Sequence, residues 1–127
     1  MVWMTENESE KSLLELEDFA RMALDEASES LGSDIALLDL RGISQFADFF
    51  VIVSGETARH LDGLADDIVR ALRTNGLRVH HREGTGGGGW VLLDFNGIVV
   101  HLFSRSAREF YGLEELWSRA PEIVRVQ

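Results

Sequence analysis

The groups in this 127-residue chain that could do chemistry are four histidines, 22 carboxylates and one Ser-Gly turn. His80 and His81 are adjacent, so on a strand they point to opposite faces and cannot serve one metal ion with good geometry. No HExxH or comparable ligand spacing occurs, and no metal is assigned. Without cysteine there are no disulfides or thiolate sites, which fits a reducing cytoplasm. Ser54-Gly55 ahead of a predicted helix resembles an anion cradle, because a helix N-terminus offers free N–H groups. Yet neither GxGxxG nor GxxxxGKS/T accompanies it, and Glu56 places negative charge where a phosphate would sit. The run Glu83-Gly84-Thr85-Gly86-Gly87-Gly88-Gly89 could close over a ligand, but its composition reads as a mobile loop between two strands. His101 lies within reach of Asp94 if the two share a hairpin. Catalysis would also need a nucleophile and an oxyanion-binding group, so a structural or interface hydrogen bond is the expected role. No catalytic residue and no cofactor are assigned, and the chain reads as a non-enzyme.

That hairpin is the best-defined element. Asn96-Gly97 between two β-rich runs predicts a two-residue type I′ turn, whose central residues both need φ > 0. Phe95 then faces Ile98, and counting outward pairs Asp94 with Val99, Leu93 with Val100, Leu92 with His101, Val91 with Leu102 and Trp90 with Phe103. One face carries Val91, Leu93, Phe95, Ile98, Val100 and Leu102, all apolar, and should lie against helices. The other carries Trp90, Leu92, Asp94, Val99, His101 and Phe103. If helices cover one side only, this second face is an exposed apolar patch suited to a partner. If both sides are covered, Asp94 and His101 must be hydrogen-bonded internally.

The remaining elements must position this hairpin. Residues 9–31 read as a helix with Leu13, Leu16, Ala20, Ala23, Leu24, Ala27 and Leu31 on one stripe and Gly32 as its stop. Strands follow at Asp34–Leu40 and Phe49–Val53. Thr57 is a candidate N-cap for a second helix with Leu61, Leu64, Ala65, Ile68 and Leu72 inward, ending at Asn75-Gly76. A strand at Leu77–Arg82 would complete a βαβ-like unit. The fold class is therefore α/β (α+β), a mixed sheet of about five strands with helices mainly on one face. Ser106-Ala107-Arg108-Glu109 matches a capping box for a short helix that Gly112 stops. Leu113, Leu116 and Trp117 share one side of a further turn, and Pro121 marks its end or a new start.

Length and composition fit one domain over residues 9–127 behind a disordered acidic N-terminus at 1–8. No apolar run approaches the roughly 18 residues that span a membrane, and the start lacks secretory or transit character, so a soluble cytoplasmic protein is expected. The net charge of −10 is uneven: residues 1–34 hold 10 acidic and 2 basic side chains, the rest 12 and 10. Such a field disfavours direct binding to nucleic acid and favours a basic protein partner, although a solvated acidic helix that only aids solubility would look the same.

Five segments taken together resemble one family. Asp34–Leu40, Ala47–Gly55, Trp90–Asp94, Val99–Phe103 and Arg108–Trp117, in that order, are similar to the ribosomal silencing factors, also called Iojap-like, over residues 13 to 125. The resemblance implies a nucleotidyltransferase-like topology without enzymatic activity. It implies binding to a basic large-subunit ribosomal protein at the intersubunit face, which blocks joining of the small subunit and lowers translation when nutrients are scarce. Carried over by position, it makes Trp90, Leu92, Asp94, His101, Phe103, Arg108, Tyr111 and Glu114 candidates for the partner surface, with Trp90 and Phe103 as anchors and Asp94 meeting Arg or Lys. Asp48 and Gly55 become scaffold, Gly55 permitting close backbone approach. The long acidic start and the Gly86–Gly89 run depart from the family pattern. Two other classes stay open: a homodimer or ribosome-assembly protein using the same face, and a nucleotidyltransferase, which would need a D-x-D carboxylate pair that no strand offers.

Overall fold

The computed structural model describes residues 15–127. The acidic N-terminus at 1–8 and the expected helical residues 9–14 lie outside them. Helix α1 (Leu16–Glu29) begins where the backbone N–H of Glu15 donates to the Asp18 carboxylate at 2.9 Å. Glu17 and Asp18 add negative charge to its first turn, where the helix dipole favours it. Ala20, Ala23, Leu24 and Ala27 are buried as the stripe predicts. The stop is one residue earlier than expected. Leu31 takes the left-handed conformation (φ 66°), and Gly32 follows it, donating its N–H to the Ala27 carbonyl at 2.8 Å in a Schellman closure.

Strands β1 (Ser33–Asp39) and β2 (Ala47–Gly55) pair antiparallel. Helix α2 (Ala58–Thr74) is capped by Thr57, whose hydroxyl accepts from the His60 N–H, and buries Leu61, Leu64, Ala65, Ile68 and Leu72. Short β3 (His81–Glu83) then leads to β4 (Trp90–Asp94) and β5 (Gly97–Ser104). Asn96 (φ 61°) and Gly97 (φ 102°) both adopt the positive φ that a type I′ turn demands. The β4–β5 register is the expected one, from Asp94 with Val99 to Trp90 with Phe103. Helices α3 (Arg105–Tyr111) and α4 (Leu113–Leu116) precede β6 (Glu122–Val126).

Among the described residues six strands form one mixed sheet in the order β3-β4-β5-β2-β1-β6, parallel only between β2 and β5. Helices α1 and α2 cover one face, where the six apolar hairpin residues join the main core. This is the mixed α/β arrangement expected, with differences in detail. The sixth strand, β6, adds to the free edge of β1. The strand beside and parallel to β2 is β5, not the segment after α2; of Leu77–Arg82 only His81 and Arg82 are extended into the sheet, with Glu83, at the far edge. Helix α3 starts two residues before the Ser106 capping box, because the Ser104 hydroxyl takes the Ala107 N–H at 3.1 Å. Leu116 is exposed, while Leu113 and Trp117 pack inward. The glycine run is not an open loop. Gly86–Gly88 form a 3-10 turn, the Gly86 N–H donates to the Asp62 carboxylate at 2.7 Å, and a β-carbon on Gly86 would lie 1.9 Å from the Ala58 carbonyl oxygen. Glycine here lets the turn press onto the N-terminal turn of α2.

Candidate docking face

The second face of the sheet is built from alternate residues of β4, β5 and β2. Phe50 of β2 pairs with Val99 across the parallel ladder. Period-two alternation then puts Trp90, Leu92, Val99, His101, Phe103, Phe50 and Ile52 on the side away from α1 and α2. Ala36, Leu38, Leu40, Ala47, Phe50, Ile52, Phe103 and Ala120 form a second buried cluster there, flanked by half-buried Trp90, Val99, Leu113 and Trp117. The face is therefore layered. Phe103 and His101 form its floor at 0% and 4% exposure, Trp90, Leu92 and Asp94 are half-buried, and Tyr111 reaches out at 50%.

Aromatic contacts hold this layer together. Trp90 lies 4.9 Å from Phe103 and 4.6 Å from Tyr111 between ring centroids. Phe50 meets His101 edge-on at 4.6 Å and Trp117 at 5.7 Å. Such pairs contribute about 0.5–1.5 kcal/mol each beyond area burial. The expected His101–Asp94 pair does not form. Asp94 accepts from the Asn96 N–H in the turn at 2.8 Å, and His101 Nδ1 accepts from the Trp90 indole at 3.2 Å. Burial lowers the His101 pKa to about 4, so the ring is neutral near pH 7.

Arg108 and Glu114 belong to a different construction. Arg108 is buried at 9% exposure; its Nε donates to Glu114 at 2.9 Å and its Nη1 to the Asp34 carbonyl at 2.5 Å and the Ser54 hydroxyl at 2.9 Å. Arg125 of β6 donates to Glu114 at 2.7 Å and pairs with the Asp34 carboxylate. Burial would raise the Glu114 pKa, but the two guanidinium groups outweigh it and hold the carboxyl below its usual value. Asp34 itself sits at φ 48°, a left-handed conformation that both arginines brace. The cluster lines a cleft of about 550 Å³ with Ser33, Arg105 and Glu109, and ties β1, β2, α3, α4 and β6 together. Ser54 is spent on Arg108 rather than on an anion. Gly55 does serve close approach, since a β-carbon there would lie 2.6 Å from Leu61.

Of the eight sequence-predicted residues, Trp90, Leu92, Asp94, Tyr111 and Glu114 reach solvent, while His101, Phe103 and Arg108 lie beneath. Phe50, Trp117 and Phe110 were not among the partner-surface candidates, although the sequence already placed Trp117 on one side of a turn with Leu113. The first had a signal: Phe49 and Phe50 are neighbours on a strand, so one had to face away from the helices. Two grooves flank Tyr111, one of about 300 Å³ with Glu83, Trp90 and Leu92, the other of about 640 Å³ with Gly86–Gly89 and Phe110. Among the described residues no group of three or more His, Asp or Glu is placed to hold a metal ion, and no helix is long and apolar enough to cross a membrane.

The comparisons agree with this architecture. The family model described as "Ribosomal silencing factor during starvation" matches residues 13–127. The chain is 36% identical over 113 residues to the ribosomal silencing factor of Bacillus subtilis, covering 89% of this chain and 91% of that one. It is 32% identical over 88 residues to mouse "Mitochondrial assembly of ribosomal large subunit protein 1", covering 67% of this chain and 39% of the mouse protein. A crystal structure from Chromobacterium violaceum superposes with a TM-score of 0.79 at 27% identity, over 83% of this chain and 88% of that one. This chain belongs to the ribosomal silencing factor family.

Proposed function

We propose that this protein represses translation by binding the large ribosomal subunit through a basic ribosomal protein at the intersubunit face. Bound there, it blocks joining of the small subunit, particularly when nutrients are limiting. The observation that carries the reading is the layered face, where Trp90, Leu92 and Tyr111 stand over a buried aromatic floor, with the carboxylate of Glu83 beside the groove they line and that of Asp94 on the same strand. Aromatic anchors flanked by acid suit a basic, partly apolar protein surface. The net charge of −10 speeds encounter with such a partner and repels bare phosphate. The name of the mouse relative, which concerns assembly of the large subunit, supports the same target. The protein acts in the cytoplasm as a binding factor without catalysis or a cofactor, and contact with bare RNA is no part of this docking.

The test is reassociation of purified 30S and 50S particles followed by light scattering. Wild type should lower the yield of 70S, and Leu92→Glu should restore it. Undiminished 70S formation at saturating protein would overturn the proposal. A second use of the same region is self-association, favoured by Phe110 and Leu116 at 81% and 75% exposure. Concentration-dependent scattering of the protein alone measures it.

A further inference from the structure

Trp90 and His101 stand on neighbouring strands of the same face, with the Trp90 Nε1 donating to His101 Nδ1 at 3.2 Å. An indole N–H only donates, so Nδ1 must be the acceptor and the neutral ring carries its proton on Nε2. That Nε2 is buried and has no hydrogen-bond partner among the described residues. His101 packs edge-on to Phe50 and parallel to Phe103 at 6.0 Å, in an apolar layer that a phenylalanine would suit better than an imidazole with an orphaned N–H. The one thing this imidazole provides that an apolar ring cannot is an acceptor for the indole of a half-buried tryptophan. Without it, the indole N–H would lose its partner inside the layer and the ring would turn toward water.

We infer that His101 is a positioning residue, which fixes the Trp90 indole between Phe103 and Tyr111 so that the anchor is preformed before a partner arrives. A ring already held in place loses less freedom on docking, so binding is tighter for the same contacts. Burial serves this role, because it depresses protonation of Nδ1 and keeps the acceptor available across the physiological pH range. The inference rests on the docking reading for what the indole is held for, and on the geometry alone for how it is held.

The test compares His101→Phe, His101→Asn and Trp90→Phe. Asn places its Oδ1 close to where Nδ1 stands and keeps an acceptor; Phe fills the layer and removes it. The assigned Trp90 indole N–H resonance should move in His101→Phe toward that of a water-exposed indole and return in His101→Asn. Thermal unfolding of His101→Phe should be unchanged or higher than wild type. Sedimentation with 50S particles should weaken about five- to tenfold in His101→Phe, recover in part in His101→Asn, and show no further loss when His101→Phe is added to Trp90→Phe. An indole resonance unmoved in folded His101→Phe, or undiminished 50S binding with the resonance moved, would overturn the inference. Should His101→Phe fail to fold, a wild-type-like indole resonance in Trp90-containing His101→Leu overturns it, and a displaced one supports it. Wild type that does not sediment with 50S would instead sink the docking reading, and the resonance would still decide the tie.

Discussion

The two faces of the sheet are covered in different ways. Under α1 and α2 the hairpin residues Val91, Leu93, Val100 and Leu102 are fully buried among apolar side chains that are mostly aliphatic, with Phe49 and Phe95 among them. Across the sheet, His101 and Arg108 are buried within or beside an aromatic layer, each with one nitrogen that has no hydrogen-bond partner among the described residues, the one on Arg108 facing only the Asp34 carboxylate at 3.9 Å. The first face is organised as a core, since close apolar packing leaves nothing unsatisfied. The second face bears costs that packing does not require, and such costs gather where a molecule does something else.

Substitutions on the two sides should separate these roles. The largest stability loss falls on the ion-pair cluster. Arg108→Ala leaves Ser54 and the Asp34 carbonyl without their donor and Glu114 with Arg125 alone, and should cost about 3–5 kcal/mol in denaturant unfolding. Leu93→Ala, on the helix side, should cost about 3 kcal/mol and leave the affinity of the folded fraction for 50S unchanged. A loss below about 1 kcal/mol at either position would break the contrast between them.

The pH dependence of stability sharpens it further. The His101 pKa is lowered from 6.5 to about 4 on folding, so between these values the unfolded chain takes up a proton that the folded chain does not. Stability is therefore lost as pH falls from 6.5 to 4, by up to about 3 kcal/mol from this group, and is flat above. Glu114, with its depressed pKa, adds loss in the same direction as pH falls through its folded value. His101→Phe removes the first contribution only, so the difference between wild-type and variant unfolding curves against pH isolates it. The smallest stability effect belongs to Tyr111→Ala, at under about 1 kcal/mol, since half of that ring is already in water. In 50S binding the same change should cost about 2 kcal/mol.

What could be read in advance follows the range of the forces involved. The hairpin register was legible because Asn96-Gly97 fixes it locally and one face is apolar throughout. Helix α2 was legible because Thr57 and the stripe from Leu61 to Leu72 agree. Strand β6 was missed because its five residues pair only with a distant edge, and the crossover partner of β2 was misread because the parallel pairing with β5 is set by tertiary contact. At the candidate site the face was legible from alternation, but its depth was not. Phe103 and His101 are buried by Phe50 and by the chain after β5, and Arg108 is drawn into a cluster with Asp34, 74 residues away in sequence. The glycine run misled for a related reason: composition suggests freedom, whereas these glycines allow contact with Ala58.

The central claim is that the aromatic face docks on the large subunit. Its most direct test is co-sedimentation of wild type and Trp90→Ala with purified 50S, 30S and 70S particles at two salt concentrations. The account predicts binding of wild type to 50S alone, weakened by higher salt and by Trp90→Ala, with the variant still folded. Absence of binding to 50S, or binding that folded Trp90→Ala retains in full, would contradict it.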